Sequence, residues 1–106
     1  MTTEEKIQNI QTVLNDEEAT DDLITVYLNY AKDEILNTRY PFGIPEDVTE
    51  VPPQYEKHQC ELATRYFLRR GGEGEQIHNE DGVHRHYGSV DDIDILEKIV
   101  PIIKVI

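Results

Sequence analysis

The sequence is short of several things at once. It has one cysteine, one methionine, no tryptophan and only 10 basic side chains against 22 acidic ones. The lone Cys60 excludes an intrachain disulfide, and no apolar run approaches the roughly 20 residues that a membrane span needs. Met1-Thr2-Thr3-Glu4-Glu5 lacks the basic and apolar blocks of a secretion signal, so a reducing cytosol is the expected place of synthesis. The scarcity of cations argues against a broad basic face that grips a phosphate backbone. What remains, in 106 residues with 38% hydrophobic and 30% charged composition, is one soluble globular domain with a single modest core.

The net charge of −12 is unevenly placed. Residues 1–64 carry −10, residues 65–88 are neutral, and residues 89–106 carry −2. The neutral stretch also holds His78, His84 and His86.

Three helices are predicted in the first two-thirds. Thr2 with Glu5 three residues on is a capping-box signature, after which Ile7, Ile10 and Leu14 share a face. Thr20-Asp21-Asp22 places a hydroxyl cap and two carboxylates at the positive end of a second helix. Its stripe is Leu23, Ile24, Tyr27, Leu28, Ala31 and Ile35, running to about Asn37. Val26, Tyr30 and Leu36 lie off that stripe and predict a second buried face. The prolines of Tyr40-Pro41-Phe42-Gly43-Ile44-Pro45 break the pattern, and residues 40–53 read as irregular. A third helix starts near Pro52-Pro53 and sends Tyr55, Leu62, Ala63, Tyr66 and Phe67 to the core, with Cys60 at the edge. Arg69-Arg70-Gly71 is its expected stop, by charge at the dipole's negative end and a left-handed glycine cap.

The last third reads differently. Gln76-Ile77-His78 and Val83-His84-Arg85-His86-Tyr87, around a turn at residues 79–82, predict a β-hairpin. Ile93, Leu96, Ile99 and Val100 predict a short fourth helix that Pro101 ends or bends. The terminal Ile102-Ile103-Lys104-Val105-Ile106 is too apolar to be a solvated tail. The fold class expected is mainly α: three main helices plus a short fourth, a hairpin and an extended apolar C-terminal arm. One domain spans 1–106, with a helical body about 2–70, a hairpin about 75–87, and the short helix and arm about 90–106.

The apparent chemical sites have simpler readings. His84 and His86 would share a strand face with His78 opposite, but neither a fourth ligand nor an ordering shell accompanies them, and no metal is expected. Gly71-Gly72-Glu73-Gly74 lacks the Lys and Ser/Thr of a phosphate loop and follows a helix; it reads as a flexible joint. Asp91, Asp92 and Asp94 miss the calcium-loop spacing and read as helix capping. Cys60 has no ordering base and reads as a core thiol. No acid–base or nucleophile constellation points to an enzyme, and no cofactor is expected.

The order of elements, with Tyr40-Pro41-Phe42 before the third helix, the run from Tyr66 through Arg69-Arg70-Gly71-Gly72-Glu73-Gly74 to Tyr87, and the apolar end, resembles the head-tail connector (adaptor) proteins of tailed bacteriophages. The resemblance implies a non-enzymatic virion protein, assembled in the host cytoplasm into a homo-oligomeric ring of about twelve copies. Its partners would be the portal protein on one side and a downstream stopper or tail-completion protein on the other, with DNA passing through the channel unbound. Subunit or portal contacts are expected at Arg65, Arg69, Arg70, His78, His84, Arg85, His86, Ile102, Ile103, Val105 and Ile106. Of these, Arg65, Arg69 and Arg70 are the chain's main basic cluster, expected against the acidic surface of a sister subunit. The alternative is a small acidic module that masks a basic partner.

Overall fold

A computed structural model describes the backbone of residues 1–79 and 92–103, and the side chains of residues 1–70 and 92–103. Among these residues the regular elements are α1 (Thr3–Leu14), α2 (Asp21–Arg39), a 3₁₀ turn (Pro53–Tyr55), α3 (Glu56–Asn79) and α4 (Ile93–Leu96), with no strand.

Local sequence explains the first two helices. The Thr2 hydroxyl accepts from the Glu5 amide at 3.1 Å while the Glu5 carboxylate accepts from the Thr2 amide at 2.8 Å, completing the expected capping box. Asn15 closes α1 in the left-handed conformation that asparagine tolerates. Thr20 caps α2 through the Leu23 amide, with Asp21 and Asp22 in the first turn.

Packing follows the predicted stripes. Ile24, Tyr27, Leu28, Ala31 and Ile35 of α2 meet Leu62, Ala63, Tyr66 and Phe67 of α3, and Ile10 of α1 closes the core. Tyr27 is the aromatic centre, its ring centroid 6.4 Å from Tyr66 and 6.5 Å from Phe67 in tilted and edge-on contacts. A buried polar relay joins all three helices: Lys6 Nζ donates to Gln59 Oε1 at 2.6 Å, and Gln59 Nε2 donates to the Leu28 carbonyl at 3.0 Å. Glu56 stands 3.8 Å from the same ammonium, so the buried charge is balanced as well as hydrogen-bonded.

Four expectations need correction. The third helix does not stop at Gly71 but continues to Asn79, through the Gly71–Gly74 stretch read as a flexible joint. Each glycine there costs about 1 kcal/mol relative to alanine but does not forbid helix, and no proline follows before Pro101 to force an end. Residues 76–78, expected as the first strand of a hairpin, are therefore helical, and its turn and second strand fall largely on residues outside those described. The predicted second face of α2 is buried only at Leu36; Val26 and Tyr30 are exposed. Finally, α4 ends at Leu96 rather than at Pro101, and its segment turns Ile95 and Ile99 into the core and leaves Ile93 and Val100 outside, because a single helical turn takes its rotation from its anchors rather than from a 3.6-residue stripe.

The helical core is expected to dominate stability. Leu62→Ala should cost about 2–5 kcal/mol in urea unfolding, as large-to-small changes in well-packed cores do. Thr20→Ala should cost about 1 kcal/mol through loss of the cap.

Candidate functional site

The C-terminal segment from Asp92 to Ile103 crosses the face formed by α2 and α3, with Ile95 and Ile99 as its apolar anchors. Two polar clasps hold its ends.

At the first clasp, Arg65 and Arg69 stand one helical turn apart on α3 and reach the same fully buried carboxylate. Arg69 Nη2 donates to Asp92 Oδ2 at 2.6 Å, and Arg65 Nη1 lies 3.5 Å from Asp92 Oδ1. Arg65 also forks onto Asp94, with both nitrogen–oxygen distances 2.9 Å. That bidentate hydrogen bond holds the Asp94 carboxyl down to about 2 from an ordinary 3.8 and raises the Arg65 guanidinium. On the neighbouring helix, Glu34 is half-buried, and burial, followed by the charges of Asp92 and Asp33, pushes its carboxyl up.

At the second clasp, Arg39 ends α2. Its Nη1 donates to the Val100 carbonyl at 3.1 Å and lies 3.4 Å from the Tyr55 hydroxyl, which accepts the Val100 amide at 3.0 Å. The Arg39 carbonyl, one of those a helix end leaves unpaired, accepts the Ile102 amide at 2.6 Å. The guanidinium also lies 5.4 Å from the Tyr55 ring centroid and 5.9 Å from that of Tyr40.

The expected contact residues are thus placed as follows. Arg65 and Arg69 bind the chain's own C-terminal segment. Arg70 stacks 3.9 Å over Phe67 and pairs with Glu18 in the turn between α1 and α2. His78 lies in α3 rather than on a strand, so the three-imidazole strand face lacks its expected member. His84, Arg85, His86, Val105 and Ile106 lie outside the described residues. Ile102 and Ile103 are exposed. Asp92, read as a cap, makes no side-chain capping bond and is the buried end of the first clasp instead.

Sequence reasoning missed Lys6, Asp92 and Arg39. Lys6 stands four residues before Ile10, so its place on the buried stripe was readable from spacing. Nothing local marks Asp92 or Arg39, whose partners lie 23 or more and 16 or more residues away.

An open groove of about 370 Å³ runs between α1 and α3, lined in part by Ile10, Val13, Cys60 and Thr64. Cys60 is half-buried, and burial raises its thiol above the usual range, so it is not an activated nucleophile. Among the described residues no group of three or more His, Cys, Asp or Glu side chains is placed to hold a metal ion. No helix among them is long and apolar enough to cross a membrane.

The family model for phage gp6-like head-tail connector proteins matches residues 4–102, and the chain belongs to that family. Neither a curated protein nor a solved structure matches it. Membership makes the chain a structural adaptor of the phage virion.

Two outcomes follow from the clasps. Asp92→Asn should cost about 2–3 kcal/mol in chemical unfolding, below the 3–5 of a wholly buried pair because both guanidiniums reach water. Glu34→Gln should raise Tm at pH 7, because a carboxylate whose folded value is raised opposes folding when ionised. That advantage should shrink as pH falls into the ordinary carboxylate range, since wild-type Glu34 takes up its proton above that range. The Asp94 contribution has the opposite sign: it is complete above the ordinary carboxylate range and is lost as pH falls through about 2.

Proposed function

We propose that the chain is one subunit of a ring of about twelve copies between the portal of the phage head and the next neck or tail component. The observation that carries this reading is the family match across nearly the whole domain, including the strapped C-terminal segment. The arm from Val100 to Ile103 supports it: exposed, apolar and fixed to the body by main-chain bonds, it is suited to lie against a partner. The terminal arm, with Ile102, Ile103, Val105 and Ile106, attaches to the portal.

Subunit contacts fall to the surfaces that the body leaves apolar, the groove beside Val13 and the exposed Leu68 and Ile93. Arg65, Arg69 and Arg70, paired within the chain, edge that side, and a part in subunit contacts is also assigned to His78, His84, Arg85 and His86. A downstream stopper or tail-completion protein meets the far end of the ring.

The charge fits a conduit. Twelve copies at −12 each give a ring of about −140 formal charges, and carboxylates facing the lumen repel DNA within a Debye length, so the genome slides without being held. The family match favours this reading over an acidic module that masks a basic partner.

Phage particles assembled without this chain should accumulate as DNA-filled heads lacking tails, and adding purified protein should restore tail joining; normal tailed particles would overturn the reading. A chain truncated after Val100 should fold, by circular dichroism, yet fail to bind purified portal rings. Undiminished binding would remove the arm's role.

A further inference from the structure

Arg39 gathers two segments that are far apart in sequence. Its carbonyl and Nη1 hold Ile102 and Val100, and its guanidinium lies over Tyr40, where the loop after α2 begins. Exposed apolar side chains stand on both of these segments, which meet at the end of α2: Phe42 (76% exposed) and Ile44 (38%) on the loop that starts at Tyr40, and Val100 (62%), Ile102 (42%) and Ile103 (58%) on the arm that Arg39 holds. Isolated exposed hydrophobics are ordinary, but five gathered at one end of a 106-residue chain mark an interaction surface.

The loop presents its side chains in a set geometry. Pro41 and Pro45 fix their own φ, the Gly43 amide donates to the Tyr40 carbonyl at 3.0 Å, and the Val48 amide donates to the Pro45 carbonyl at 3.0 Å. Gly43 sits at φ +124, which side-chain-bearing residues rarely adopt. Phe42 is thus an exposed aromatic side chain on a backbone that has little conformational freedom left to lose on binding.

The charges beside Phe42 identify what it meets. Glu46, Asp47 and Glu50 follow in the same loop, all exposed, with no basic residue between Arg39 and Lys57. A second copy of this chain is a poor match for that edge. Its Lys6, Arg65, Arg69 and Arg70 are paired internally and Arg39 is spent on the arm, leaving Lys32, Lys57 and Lys98 as basic side chains without an ion pair among the described residues. Set against a net charge of −12, those three do not make a basic receptor among the described residues.

We propose that the Phe42–Ile44 turn and the Val100–Ile103 arm form one acid-edged apolar docking surface for a different protein, one that offers an apolar pocket edged by Lys or Arg. Resting on the connector reading above, we assign that partner as the portal. The turn then works beside the arm as a second, rigid point of attachment.

Binding of the full-length chain to purified portal rings of the same phage, followed by sedimentation alongside self-association, tests this. Phe42→Ala should weaken portal binding at least tenfold while leaving the melting curve and self-association unchanged, since the side chain is mostly in water. The triple variant Glu46→Gln, Asp47→Asn, Glu50→Gln should weaken binding at low salt and flatten its salt dependence. Glu17→Gln, an exposed carboxylate in the turn between α1 and α2, should leave portal binding and its salt dependence intact. If Phe42→Ala binds portal within twofold of wild type, the turn is not a docking element. If it loses self-association instead, the surface joins copies of this chain and the proposal is wrong. An unchanged salt dependence in the triple variant removes the basic pocket. Failure of the wild-type chain to bind portal rings overturns the portal assignment, a result separable from any behaviour of the variants.

Discussion

A carboxylate removed from water must be paired, and much of this structure's arrangement depends on how Asp92 meets that demand. Arg65 and Arg69 satisfy it from adjacent turns of α3. Their shared grip sets where the chain rejoins the body, which in turn fixes the rotation that sends Ile95 and Ile99 inward and Ile93 outward. Buried ion pairs add little net stability compared with apolar residues of equal size, but an unpaired charge at this depth is costly. The pairing therefore acts chiefly on specificity: a segment shifted so that Ile93 met Arg65 and Arg69 would take the Asp92 carboxylate away from its partners.

The two clasps divide the work of holding one segment. The first uses charge and is sensitive to protonation, with Asp94 held low by its bidentate arginine and Glu34 pushed up by burial and by the nearby Asp92. The second uses mainly neutral acceptors and main-chain amides around Arg39 and Tyr55. Between them lie only two deeply buried apolar side chains, so the segment's attachment is spread over polar contacts to a greater degree than that of α1, α2 or α3.

Legibility in the sequence followed the range of the interactions. Thr2, Glu5 and Thr20 announce their caps because their partners lie three residues away, and the stripes of α2 and α3 announce their core because helical period is a local property. The end of α3 was misread because Arg-Arg-Gly permits a helix to stop without requiring it; helix continuing through the glycines satisfies the same backbone groups. Asp92 was misread because a carboxylate just before a short helix already had a sufficient local explanation. Arg65, Arg69 and Arg70 were legible as a cluster, but sequence spacing does not show that acids 23 or more residues away, in the same chain, already meet them.

The second clasp also bears on how such a protein changes over generations. Arg39 and Tyr55 hold the amides of Ile102 and Val100 and the carbonyl of Val100, groups that nearly every residue type possesses. Only proline is barred at positions 100 and 102. The side chains that point away at those positions take no part in keeping the arm in place. Their identity is free to drift in step with whatever surface they meet, so the address can be rewritten while the hinge that presents it stays as it is.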